Sequence, residues 1–235
     1  MACCGAQPLI PTFLLYNEEL NYLKNFNQLR SKVPEARMVQ SVGNIFQSHK
    51  HLAQISNHDK FIVVDGDSFI LDEFDFNNAW RLPVTSKSVS IFRARNPING
   101  LVYGNGGIKL FSTDCFDVDD ISMPDMTMSV GLKYNRIDIL ASDHNFNTSP
   151  FNSWRTAFRE CAKLQNFINR SNVPHGLLSH NQIVNTWCTV GEDKDYGKFA
   201  IEGAKQGVKF ANTTDNMFLV NDFLYIKELY NQLQD

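Results

Sequence analysis

Two carboxylates one residue apart, Asp65 and Asp67, follow directly on four apolar residues, Phe61, Ile62, Val63 and Val64. Paired hard oxygen ligands at this spacing suit a divalent cation, Mn2+ or Mg2+, that in turn carries phosphate oxygens. Gly66 between them lets the backbone turn and lets a ligand come close. The structural alternative is a turn in which Asp caps backbone amides. The lead-in favours chemistry, because a short continuous apolar run reads as a strand buried on both faces. In open α/β sheets, ligands bind just beyond the carboxyl ends of such strands. Two other Asp-x-Asp sequences, Asp117-Val118-Asp119 and Asp193-Lys194-Asp195, stand in polar surroundings and read as solvated charge.

Three further groups have the right chemistry. Asp143 and His144 follow the apolar run Ile137–Ala141, and a His beside an Asp past a strand suits metal ligation or proton transfer. Gly104, Gly106 and Gly107 precede Ile108-Lys109-Leu110-Phe111. Glycines there mark a bulge or a close backbone approach, either to a ligand or within a plain hairpin. No Gly-Lys-Ser/Thr follows, so this is not a P-loop. Arg155 and Arg159 are four apart on a helical pattern, with Glu160 beside them. Paired guanidiniums suit phosphate oxygens, and the alternative is a solvated face carrying a Glu–Arg pair.

The elements that must position these groups are legible in outline. Pro11–Tyr16 reads as a first strand. Asn17 then caps a helix with Glu18 and Glu19 in its first turn and Leu20, Leu23 and Leu29 on one side. Arg37–Val39 reads as a second strand and Ile45–Ile55 as a second helix, with His49 and His51 facing solvent. Phe61–Val64 is the central strand. Strand alternating with helix predicts a doubly wound, mostly parallel sheet with helices on both faces. Ser88–Arg93 alternates as a strand, and Asn99-Gly100 is a turn signal. Phe69–Trp80 has no clear period, and Ser112–Lys133 reads as a polar loop. Trp154–Ile168 is an amphipathic helix. Helical patterns return over Asn181–Val190, Phe199–Phe210 and Met217–Leu233. The second of these carries Ala200, Gly203, Ala204 and Gly207 on one side, which predicts close packing. The expected division is an α/β catalytic region over residues 9–170 and a C-terminal helical extension over residues 171–235.

Composition narrows the class. At 235 residues, with 43% hydrophobic and 20% charged residues, the chain can bury a core of ordinary size. A net charge of −3 argues against wrapping nucleic acid, though it permits a local basic strip, for which Arg81, Lys87, Arg93, Arg95 and Lys109 are the candidates. Five cysteines in no metal spacing, no membrane-length apolar run and no signal-peptide pattern give the expectation of a cytoplasmic protein with reduced thiols.

The buried strand ending in Asp65-Gly66-Asp67, followed by the Gly106-Gly107 strand, resembles the GT-A fold of nucleotide-sugar glycosyltransferases. The resemblance spans residues Pro11–Lys163. Four segments, FIVVDGDSFI, NPINGLVYGNGGIKL, NTSPFNSWRTAFREC and Gly203-Ala204-x-x-Gly207 followed by VNDFLYIKEL, resemble a small group of phage and bacterial GT-A-like proteins. Their wider circle includes phage enzymes that attach sugars to hydroxymethylated DNA bases.

The resemblance implies a metal-dependent transferase using a nucleotide diphosphate sugar, a UDP-sugar first among candidates. Asp67 is then the direct ligand of Mn2+ or Mg2+, with Asp65 holding ribose or a metal-bound water. His144 is a third ligand, ahead of His175 and His180. Leu15, Tyr16 and Asn17 face the nucleotide base. Gly106, Gly107 and Lys109 lie along the donor, and Arg155 and Arg159 contact phosphate. It further implies an acceptor hydroxyl on duplex DNA bearing modified bases, or on a glycan or protein, in host cytoplasm if the source is viral. One departure stands out. Inverting members carry an acidic base at the start of the helix that here begins Ser149-Pro150-Phe151. Either Asp143 or Glu160 replaces it, or the reaction is retaining.

Two other classes compete. A haloacid-dehalogenase-type phosphatase also uses an apolar strand followed by Asp-x-Asp, with the first Asp as nucleophile and Asp119-Asp120 imitating its later acidic motif. A non-enzymatic sugar- or nucleic-acid-binding module is the other.

Overall fold

The computed structural model describes residues 10–104, 107–170 and 179–233. Gly106 and His175 lie outside the described residues. The chain opens with β1 (Thr12–Tyr16), α1 (Tyr22–Lys32), β2 (Arg37–Gln40), α2 (Ile45–Ser56) and β3 (Lys60–Asp65). Then come β4 (Ser68–Ile70), α3 (Phe76–Trp80), β5 (Ser88–Arg95), β6 (Val102–Tyr103) and β7 (Ile108–Ser112). After α4 (Met126–Val130), the long β8 (Lys133–His144) leads into α5 (Pro150–Arg170), α6 (His180–Thr189), α7 (Gly197–Thr213) and α8 (Phe223–Gln232).

Eight strands form one sheet in the order β2-β1-β3-β7-β5-β8-β4, with β6 paired to β5. From the pairings, β1, β2, β3, β5 and β8 share one direction while β4, β6 and β7 oppose it. The sheet is therefore mixed α/β and mostly parallel, with helices on both faces and helices at the C-terminal end, as the sequence led us to expect. Alternate strand residues feed two cores, as the period of two requires. Leu14, Ile62, Val64, Leu110 and Phe92 pack with Leu29 of α1 and Phe76 of α3. Phe13, Phe61, Val63, Phe111 and Ile91 pack with Phe46 and Leu52 of α2. The small side of α7 packs along α5 so closely that a Cβ on Gly203 would stand 2.2 Å from the Trp154 carbonyl oxygen.

Five expectations change. The first helix starts at Tyr22 with Asn21 as its N-cap, so Asn17 and Glu19 belong to a loop at the end of β1. Phe69–Trp80 contains β4 and α3, and Ser112–Lys133 contains a 3-10 turn (Thr113–Phe116) and α4 rather than loop alone. β8 extends through Asp143 and His144, because Ser68, Phe69 and Ile70 pair with His144, Asp143 and Ser142. His49 is buried, 1% exposed, against the rings of Phe111 and Phe116, not in solvent.

The His49 Nδ1–H donates to the Ile45 carbonyl at 2.8 Å, while its Nε2 is buried without a hydrogen-bond partner. Burial then holds its pKa down at about 3. The unfolded chain takes up a proton near pH 6.5 that the folded chain refuses, so stability falls as pH drops below that value. We predict that His49→Gln removes about 1.4 kcal/mol per pH unit from the pH dependence of unfolding between roughly pH 5.5 and 4. Urea titrations across that range check it; identical slopes in both proteins would contradict the burial argument.

Candidate active site

Asp65 is the last residue of β3, paired in register with Leu15 of β1. Its neighbour on the other side is β7, where Lys109 pairs with Val63 and so projects from the same face. The Lys109 ammonium reaches both oxygens of Asp65, at 3.0 and 2.9 Å. Lys109 is nearly enclosed, its side chain 9% exposed against 32% for Asp65. Burial raises the Asp65 pKa; the Lys109 charge opposes that rise.

The turn at Gly66 is built from outside. Asn25 of α1 donates to the Gly66 carbonyl at 2.8 Å. A Cβ on Gly66 would meet the Tyr16 Cβ at 2.9 Å, so only glycine lets the turn sit under the end of β1. Asp67 then points at His144, whose Nε2 lies 2.9 Å from the Asp67 Oδ2. Both side chains are largely buried, 14% and 15% exposed. Burial pushes the Asp67 carboxyl up, but the His144 imidazolium outweighs it and the pKa falls. Burial pulls His144 down, and the Asp67 charge carries it above the ordinary histidine value.

His144 reaches this position through a register shift between β5 and β8, where Phe92 pairs with Ile137 but Arg93 pairs with Leu140. Bulges of this kind bend a strand and re-aim its side chains. The Asn145 amide donates to the Asp67 carbonyl at 2.8 Å, and Asn21 binds the Asn145 carbonyl at 2.9 Å, locking both turns to α1.

Glu19 is a site residue the sequence reading misses. It accepts a hydrogen bond from the Asn17 amide at 2.6 Å. Burial raises its pKa, and the Asp67 charge adds to that. The signal was available: Glu19 follows the end of β1 as Asp65 ends β3, at the same edge of the sheet. Counting it into a helix hid it. Tyr16, also at this edge, stacks on Tyr22 with ring centroids 4.2 Å apart.

The two arginines part company. Arg155 lies over the rings of Phe151 and Phe223, and its charge acts on both Asp67 and Glu19. Its Nε is buried without a hydrogen-bond partner. Arg159 instead ties α5 to the following chain, donating to the Val220 carbonyl at 2.7 Å and to Asn221 at 3.1 Å. Burial lowers its pKa to about 10.

Asp143 is held by Arg95 in a two-pronged pair at 2.7 and 2.9 Å. Glu160 is different. It accepts from the Tyr103 hydroxyl at 2.7 Å, which in turn accepts from the Trp187 indole at 3.0 Å. Burial raises the Glu160 pKa. Glu160 and Lys109 both line a cavity of about 1230 Å³ that extends between β5, β8, α4, α5 and α6. The cavity is not lined by Asp65, Asp67 or His144; Lys109 connects the two regions, lining the one and holding Asp65 in the other. His180 lines this cavity and packs on Phe167, with ring centroids 4.7 Å apart.

Gly107 accepts the Asp65 amide on its carbonyl at 3.0 Å. A Cβ there would stand 2.7 Å from the Ser68 hydroxyl and 2.8 Å from that of Ser142, so the close approach it permits is to these two side chains. Three candidates for a basic strip are internally neutralised: Arg93 by Asp138 at 2.8 Å, Arg95 by Asp143 at 2.7 Å and Lys109 by Asp65 at 2.9 Å. The acidic residues Asp117, Asp119, Asp193 and Asp195 are exposed, as expected of solvated charge.

Among the described residues no cluster of three protein ligands could hold a metal ion. Asp67 and His144 offer two groups of metal-ligating type side by side. Ligands on adjacent corners of an octahedron with bonds of about 2.1 Å stand roughly 3 Å apart, and Asp67 and His144 stand at 2.9 Å. Mg2+ is commonly held by one or two carboxylates plus substrate phosphates, so the donor set fits a cation completed by a diphosphate. No helix of the described residues is long and apolar enough to cross a membrane.

No family model and no curated protein matches the sequence. Solved structures with partial likeness include HddC from Yersinia pseudotuberculosis, at 13% identity over 57% of this chain and 72% of that one, TM-score 0.34. The glycosyltransferase GlyE of Streptococcus pneumoniae TIGR4 aligns at 12% identity over 55% of this chain and 45% of its own, TM-score 0.33. S. aureus TarS 1-349 in complex with UDP-GlcNAc aligns at 11% identity over 94% and 92%, TM-score 0.36. Likeness at this level carries no functional argument, and the assignment rests on the geometry.

Removing one partner of a buried ion pair strands the other charge, at a cost of about 3–5 kcal/mol. Asp65→Ala should therefore lower the unfolding free energy by about that amount, and Asp65→Ala combined with Lys109→Met should recover most of it. Denaturant titration checks this. A single variant within about 1 kcal/mol of wild type would show that solvent, not Asp65, neutralises Lys109.

Proposed function

We propose that this chain transfers a sugar from a nucleoside diphosphate sugar, a UDP-sugar first, to an acceptor hydroxyl. The observation that carries the reading is the Asp67–His144 pair at the carboxyl edge of β3, under the charge of Arg155. Arg155 offsets the charge of Asp67 and Glu19, and its Nε, buried without a hydrogen-bond partner, has a donor left for a further anion. Asp67 and His144 would hold Mn2+ or Mg2+, and that ion, when bound, neutralises charge on the departing diphosphate. Arg155 supplies N–H donors to the same diphosphate. Asp65, fixed by Lys109, presents its exposed lone pairs to a ribose hydroxyl. The end of β1 at Leu15, Tyr16 and Asn17 offers the nucleotide base a wall stiffened by the Tyr16–Tyr22 stack.

Glu160 supports the role of base better than Asp143. A base must have a free lone pair within reach of the acceptor proton. Asp143 is clamped by a guanidinium on both oxygens, whereas Glu160 faces the cavity, and one oxygen accepts from Tyr103. A raised pKa strengthens Glu160 as a base near neutral pH. Duplex DNA is not adopted as acceptor, because three of the five cations that would track its backbone, Arg93, Arg95 and Lys109, are paired within the protein.

Calorimetry with UDP and Mn2+ tests the donor site. Asp67→Ala should weaken UDP binding at least tenfold, about 1.4 kcal/mol, and only when Mn2+ is present. Unchanged affinity would refute the assignment. Release of UDP from a panel of UDP-sugars tests the base: Glu160→Gln should slow it by about 10²–10⁴ while leaving UDP affinity intact. Equal rates in Glu160→Gln, with loss in Asp143→Asn, would move the base to Asp143.

A further inference from the structure

One face of α5 continues from the active site along the whole cavity. Glu160, Lys163, Leu164, Phe167 and Arg170 all line it, at helical spacings of three and four. The stripe is polar at the Glu160 end, apolar at Leu164 and Phe167, and cationic at Arg170. Across from it, Arg136 of β8 lines the same space. The other charges facing the cavity are accounted for. Arg93 is paired with Asp138 at 2.8 Å, Lys109 with Asp65 at 2.9 Å, and Lys163 stands 3.9 Å from Asp125. Asp125 is itself engaged as the N-cap of α4, accepting from the Met128 amide at 3.0 Å. Among the described residues no carboxylate lies within ion-pair distance of Arg136 or Arg170. The cavity therefore has one proton-accepting end, an apolar middle and two guanidiniums with no carboxylate pair among the described residues, Arg136 lying 5.7 Å from the centroid of the Tyr134 ring.

We propose that this cavity binds an acceptor alcohol carrying a phosphate, its hydroxyl set against Glu160, its carbon body along Leu164 and Phe167, and its phosphate held by Arg170 and Arg136. Guanidiniums bind phosphate through two parallel N–H bonds, which ammonium and carboxylate groups cannot imitate. The helix also sets a length. Ten residues separate Glu160 from Arg170, about 15 Å at 1.5 Å per residue. An acceptor that satisfies both ends must place hydroxyl and phosphate about that far apart. The role of Glu160 here rests on the glycosyl-transfer reading; the phosphate site does not.

The test is calorimetry of the full chain with ω-hydroxyalkyl phosphates of increasing chain length, alongside alkyltrimethylammonium salts of matched length. Affinity should rise until the two ends span about 15 Å and then fall. Arg170→Glu and Arg136→Glu should each weaken binding at least tenfold, with UDP affinity unchanged as the check on folding. The ammonium salts should not bind. Cosedimentation with phosphatidic-acid vesicles separates the two sources of phosphate. Vesicle capture lost in Arg170→Glu assigns the phosphate to a lipid headgroup, and binding of the soluble esters assigns it to a free ester. Binding of neither, or binding indifferent to both charge reversals, overturns the proposal. Because UDP is measured separately, loss of the donor reading and loss of this one give different results.

Discussion

Everything at the carboxyl edge of this sheet follows from two anions that the fold takes partly out of water. Asp65 and Asp67 cannot both be ionised one residue apart in such surroundings without cations beside them. The protein supplies Lys109 to the first and His144 to the second. The two pairs differ in kind. Lys109 is a permanent charge on a neighbouring strand, held by register. His144 is a weaker base, and the Asp67 charge holds its pKa above the ordinary histidine value. One pair is thus fixed between two strands, and the other joins a turn to the end of a strand.

The surrounding features serve this arrangement. The register shift between β5 and β8 bends the end of β8 so that His144 falls opposite Ser68, one residue from Asp67. Asn25 and Asn21 of α1 fasten the two turns that carry the acids and the imidazole. α5 spans the chemistry. Its first turns bring the charge of Arg155 to bear on Asp67, its middle holds Glu160 at the cavity wall, and its end carries Arg170. Packing of α7 through Gly203 and Gly207 against the carbonyls of Trp154 and Phe158 fixes that helix from behind.

Much of this was legible in the residues, for local reasons. Four apolar residues before Asp65 read as a buried strand because that pattern is intrinsic to the chain. The small stripe of α7 announced close packing because only a tight contact needs it. His144 was chosen for standing next to a strand end, and it meets Asp67. What escaped was decided by distant contacts. Glu19 looks like a helix residue until the start of α1 is known. Arg155 and Arg159 look equivalent on a helical wheel, and only the chain after α7 claims Arg159. Asp143 seems a free acid until Arg95 arrives from β5. His49 carries a polar name in an apolar stretch, and the rings of Phe111 and Phe116 close on it from outside its helix. In each case the deciding partner lies on another element, where no spacing rule reaches.

The most direct test is NMR of the histidine side chains with UDP present, before and after Mn2+ is added. Mn2+ held between Asp67 and His144 should broaden the His144 ring signals beyond detection. His58, two residues before the far end of β3, a strand whose six residues span roughly 17 Å, should be broadened far less. Equal broadening of both, or a sharp His144 line in the presence of UDP and Mn2+, would contradict the account.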